Sequence, residues 1–176
     1  MSITTTRRDE VTDSRGHEAP SSITALIDTA VTRLAALLNA HSIAVLRVSL
    51  GLVFLVFASF KFVPGLSPAE DLAVATIEKL TFGMVTGASA LLLTAITETV
   101  IGLTLLTGRF LRFGLVVLAG ALVGIMAPLV LFADQLYGNG PTLTAQYVFK
   151  DIVLAAAGLV VGAHALGGRL RSQDQD

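Results

Sequence analysis

Cysteine and tryptophan are both absent from the 176 residues, and only two tyrosines are present. Without cysteine the chain can form no disulfide, no thiolate metal site and no dithiol redox pair of its own. Without tryptophan, anchoring at a membrane–water boundary falls to Tyr137 and Tyr147. Charge is scarce as well: 14% of residues are charged, against about 25% in soluble domains. The chain carries no Gly-rich phosphate loop and no nucleophile–base motif. It has no basic stripe of the kind that binds nucleic acid. His41 and His164 fall at the same end of their spans, but interfacial histidines without a ligand role are far commoner, so no metal site is expected. Hydrophobic residues, by contrast, make up 53% of the chain, and the mean hydropathy is +0.77. The length allows one domain, and the composition makes it a membrane domain.

The stretch from Ala90 to Leu106 organises the rest. It forms the middle of a run long enough to cross a bilayer, and it contains one acid, Glu98. A carboxylate at that depth costs on the order of 2.5–3.5 kcal/mol on insertion scales, so it needs a cationic partner or a proton. Neighbouring spans must therefore supply a polar site.

Residues 1–20 are polar and aperiodic and read as a disordered cytoplasmic tail rather than a signal peptide. Over 21–42, with Ser21 or Ser22 as the cap, Ile23, Ile27, Ala30, Val31, Leu34 and Leu38 recur at helical spacing. That predicts an amphipathic helix, either on the membrane surface or as an extension of the first span. The first span is expected over 43–62, with Arg47, Gly51, Phe54, Ala58 and Lys61 on one face turned into the bundle and the tips of Arg47 and Lys61 snorkelling to opposite headgroup layers. Pro64-Gly65 ends that helix. Ser67, Pro68 and Glu70 read as a capping box opening a short amphipathic helix over 68–80, which is expected to lie on the membrane as a cap. Leu72, Ala73, Thr76, Ile77 and Leu80 form its less polar face. The second span is expected over 87–107, followed by the basic turn Gly108–Arg112. The third, over 113–133, has Gly120 and Gly124 at a spacing that admits a close neighbouring backbone, and Pro128 to kink it. Residues 134–146 read as a loop, 147–166 as the fourth span beginning with Lys150-Asp151, and 167–176 as a cytoplasmic tail.

The predicted fold is thus an all-α membrane protein: a four-helix transmembrane bundle with a short amphipathic helix between spans 1 and 2 and another at the N-terminus. Arg7, Arg8, Arg15, Arg33, Arg109, Arg112, Arg169 and Arg171 gather on the side of the termini, which the positive-inside rule makes cytoplasmic. The charges fall in two layers. Lys61, Lys150 and Asp151 lie near the other surface, with Lys61–Asp151 as the expected ion pair. Arg47 and Glu98 lie in the half nearer the termini, and arginine is long enough to bridge them if their faces meet. Glu98, Arg47, Lys61, Lys150 and Asp151 are the candidate polar site. It serves either helix pairing or a function such as a proton relay, a quinone headgroup site or a polar substrate site.

Three motifs carry a resemblance. Arg47–Phe54 with Phe60-Lys61-Phe62 is similar to the first-span motif of DoxX-like bacterial membrane proteins. Glu98–Leu103 followed by Leu105–Arg109 resembles that family's second-span motif. Gln146–Leu154 resembles the fourth-span start of its YkgB-like subgroup. The resemblance covers 43–166 and implies four spans in a bacterial plasma membrane. It also implies a non-catalytic subunit or anchor for quinone-linked redox or oxidative-stress functions, partnered by a redox enzyme or by further copies of itself. Quinone is the one cofactor it suggests, and the missing cysteines exclude a thiol-dependent role. The alternative from the residues themselves is a small transporter using the intramembrane charges.

Overall fold

The computed structural model describes residues 22–67, 69–138, 140 and 142–168. Tail residues 1–20, Ser21, Pro68, Asn139, Pro141 and residues 169–176 lie outside them, and with them the expectations placed there. Every element of the described residues is helical: α1 (Ser22–Lys61), α2 (Glu70–Leu80), α3 (Gly87–Thr107), α4 (Leu111–Met126), α5 (Pro128–Leu131), α6 (Ala133–Tyr137) and α7 (Leu143–Ala165). Four stretches are long and apolar enough to cross a membrane: Ile23–Lys61, Gly87–Thr107, Leu111–Leu131 and Leu143–Ala165. The protein is a multi-pass helical membrane protein by that criterion.

The chain divides into two compact units, 1–38 and 39–176. In the first, residues 23–38 are helical and exposed, and the hydroxyls of Thr29 and Thr32 donate to the carbonyls of Ala25 and Asp28. The division expected at 42/43 is not a break in secondary structure, because α1 runs through it. Nothing between Asn39 and Ile43 is a helix stop: there is no proline, and no glycine that could take a left-handed cap.

The second unit contains the bundle. Leu50 and Phe54 of α1, Ile101 and Leu105 of α3, Leu118 of α4 and Val161 of α7 form its core, each buried. Two glycines set the register of α1 on α3. A β-carbon on Gly51 would lie 2.9 Å from the Leu106 nitrogen and 3.0 Å from the Gly102 oxygen, and one on Gly102 would lie 2.9 Å from the Gly51 oxygen. The two backbones touch there because neither residue has a side chain. Gly108 ends α3 in the left-handed region at φ 71°, its N–H donating to Thr104. Gly120 and Gly124 do not take the close-approach role expected of them: no atom lies within 4 Å of a β-carbon on Gly120, and only the tip of Leu80 comes near Gly124. They face a cavity instead. Gly158 supplies the tight contact between α7 and α4, against Leu118.

Proline splits the third span. Pro128 has no N–H for the Gly124 carbonyl, and the helix stops at Met126 and restarts as α5. The capping box expected at Ser67 does not form. Ala69 is the N-cap and makes no side-chain bond, while Glu70 reaches back to accept the Gly65 N–H at 2.8 Å. Its neighbour on the same helix, Glu78, accepts the Gly87 N–H at 3.1 Å and so caps the start of α3. Residues 134–146 are not all loop, since α6 occupies 133–137 and α7 begins at Leu143, where the Thr142 hydroxyl accepts the Ala145 N–H. Lys150 and Asp151 therefore sit about 11–12 Å into α7 at 1.5 Å per residue, rather than at its start.

Candidate functional site

The end of the bundle that bears α2 is hollow. A cavity of about 860 Å³, open on one side, is lined by α1, α2, α3, α4, Pro128 of α5 and α7, within the range of small-molecule sites. The five less polar residues of α2, Leu72, Ala73, Thr76, Ile77 and Leu80, all line it. α2 is a wall of the site. It is held by its own charged residues: Glu78 on Gly87, and Lys79, whose ammonium lies 3.4 Å from the Leu131 carbonyl and 4.9 Å from the Phe132 ring centre.

One ion pair stands inside. The Lys61 ammonium donates to both carboxylate oxygens of Glu98, at 2.9 and 2.8 Å, with side chains only 9% and 10% exposed. The Phe57 ring centre is 5.8 Å from the same nitrogen. Such a pair is short, bidentate and charge-assisted. The Lys61 ammonium is thus held by Glu98, and neither expected pairing forms. Arg47 does not reach Glu98, and Lys61 does not bond Asp151. The glycine contact explains why. Arg47 lies four residues before Gly51, and Glu98 lies four residues before Gly102 on an antiparallel neighbour. The two are therefore about 12 Å apart along the bundle, on opposite sides of the contact. Arg47 instead lies against Gly108, where its guanidinium would collide with any added β-carbon. A cation there faces the negative end of the α3 dipole.

Asp151 also lines the cavity, within electrostatic reach of Glu98, Lys61 and Lys150. Among the described residues it makes no hydrogen bond and no ion pair within 4 Å. Lys150 is exposed, its ammonium 4.3 Å from the Tyr147 ring centre. Thus four of the five expected site residues meet at one cavity, and Arg47 is elsewhere. The hydroxyls of Thr76, Thr94 and Thr97 each donate to a carbonyl of their own helix. Phe57, Thr94 and Thr97 were missed by sequence reasoning, although the signal was there: Phe57 precedes Lys61 by four residues, and Thr94 precedes Glu98 by four. No group of three or more metal-ligating side chains occurs among the described residues. Phe54, a member of the core cluster, also lines the cavity. No family model, no curated protein and no solved structure matches this chain.

Proposed function

We propose that this chain is a DoxX-like protein of the bacterial plasma membrane with both termini cytoplasmic. In this reading it is a non-catalytic subunit or anchor for a quinone-linked redox function, and it holds an amphiphile in the cavity beside α2. The buried Lys61–Glu98 pair at the cavity wall carries the reading. A charged pair within membrane spans is costly and by default marks a functional site, and a few convergent polar groups in a large apolar pocket are what a ligand site needs. The motifs at Arg47, Glu98 and Lys150-Asp151 support the family assignment. A second reading, a small transporter, is favoured by the free Asp151 carboxylate in the cavity.

Purification from native membrane in a mild detergent tests this. The expected result is a complex with a redox-enzyme subunit and extractable quinone. A lone oligomer that moves a solute in liposomes would overturn it in favour of transport.

A further inference from the structure

We infer that the cavity takes a lipophilic amine: an apolar body bearing one ammonium head, bound between Asp151 and Glu98. This rests on the reading of the cavity as a binding site and is independent of the redox partner.

The charges inside select the head. Lys61 and Glu98 neutralise each other at 2.8–2.9 Å. Asp151 faces the same space with no hydrogen bond or ion pair among the described residues, and only partly exposed. The remaining cation, Lys150, is exposed and rests on Tyr147. Lys150 also lines the cavity, so the four charges balance formally, but its ammonium makes no bond to Asp151, which is left without a direct cationic partner among the described residues. A carboxylate in apolar surroundings gains most from a charge-assisted donor. An ammonium at that point donates to Asp151 and can share a lone pair of Glu98, since each Glu98 oxygen takes one bond from Lys61 and keeps a free acceptor site. An anionic head would meet Asp151 directly, and a neutral quinone head would leave it without a counter-charge. A quinone would then belong to the partner complex rather than to this cavity.

The walls select the body. Phe54, Phe57, Leu72, Ile77, Val117 and Leu154 are among the lining residues. Gly120 and Gly124 widen the space, since a β-carbon on Gly120 would meet nothing. The lining continues to Val123 and Val153, both about two-thirds exposed. These aliphatic side chains sit within spans, so the body can enter from the hydrocarbon.

The test is equilibrium binding of radiolabelled n-octylamine to the full chain in dodecyl maltoside micelles, with empty micelles subtracted. Saturable binding is expected, displaced by unlabelled octylamine and not by a tenfold excess of 1-octanol, a short-chain quinone or octanoate. Asp151→Asn should weaken it roughly tenfold or more, as the loss of one charged contact does. Gly120→Phe should abolish it while keeping the unfolding temperature, because the new ring occupies the cavity. Addition of phosphatidylethanolamine assigns the source: displacement points to a lipid amine headgroup, and no displacement points to a free amine, with the inference upheld in both cases. Wild-type binding by Asp151→Asn, or displacement by octanol or quinone as readily as by octylamine, would overturn it. If neutral amphiphiles bind and Gly120→Phe removes them, the cavity reading survives and the amine falls. If Gly120→Phe removes nothing, both fall. Should Asp151→Asn fail to fold, Gly120→Phe and the competition series decide alone.

Discussion

Lys61 and Glu98 are each other's main electrostatic support. Removing one partner of a buried pair leaves an uncompensated charge and costs about 3–5 kcal/mol. The two single removals differ here. Glu98→Leu leaves Lys61 with Asp151 within electrostatic reach, whereas Lys61→Met leaves two carboxylates facing one cavity. Lys61→Met is therefore expected to lower the detergent unfolding temperature more than Glu98→Leu, and the double variant to lose less than the sum of the two. A strictly additive cycle would mean that the pair does not interact. Arg47→Met is expected to cost less than either, about 0.3–1 kcal/mol, because its partner is a helix end rather than a buried charge. Glu98→Gln preserves the shape of the site without its charge. It is expected to insert and fold yet fail in complementation of the parent organism; full complementation would reduce Glu98 to a packing element. Much of this site was legible in the chain. Glu98 stood out as the acid deepest in a span, and Lys61, Lys150 and Asp151 stood out as charges of spans, though in a separate layer nearer the other surface. The partner assignment was not legible, because it depends on how far along each other two helices slide.

That sliding is decided between elements. The Gly51–Gly102 contact holds α1 and α3 backbone to backbone, with 2.9 Å from a hypothetical Gly51 β-carbon to the Leu106 nitrogen. Backbone atoms cannot rotate away as a side chain can, so Gly51→Ala and Gly102→Ala must push the helices apart. An overpacking cost of about 1–3 kcal/mol follows, together with a longer Lys61–Glu98 distance. Gly162→Ala is the control: nothing lies within 4 Å of its β-carbon, so it should be neutral or slightly stabilising through helix propensity. Equal losses at Gly51 and Gly162, measured by thermal unfolding in detergent, would show that the contact does not set the register. α2 also acts as an element. Its wet face holds it in place through Glu70, Glu78 and Lys79, and its apolar face closes the cavity.

For the whole molecule, the missing cysteines provide a clean background for mapping the topology. Asn139→Cys and Ser172→Cys, introduced singly, are expected to react with a membrane-impermeant maleimide from opposite faces of the membrane, with Ser172→Cys on the cytoplasmic side. Reaction of both from one face would break the four-span topology with cytoplasmic termini. Within residues 39–176 the buried apolar core of Leu50, Ile101, Leu105 and Val161 is distinct from the charged cavity beside α2.

The chain by itself determined the helices that matter for crossing a bilayer. Long apolar runs must satisfy their own backbone hydrogen bonds in hydrocarbon, and helices do so locally, so 87–107 was readable to the residue. Composition likewise determined what the protein cannot be, since absent cysteines form no bonds. Two things were left to the tertiary structure. One is the depth of each charge, because helix ends are marked weakly: α1 passes through the expected boundary at 42/43, and α7 starts four residues early at Leu143. The other is the pairing of Lys61 with Glu98 and the isolation of Asp151. The pairing follows from a register set by two side-chain-less residues on different helices, and periodicity within one helix carries no information about the offset between two.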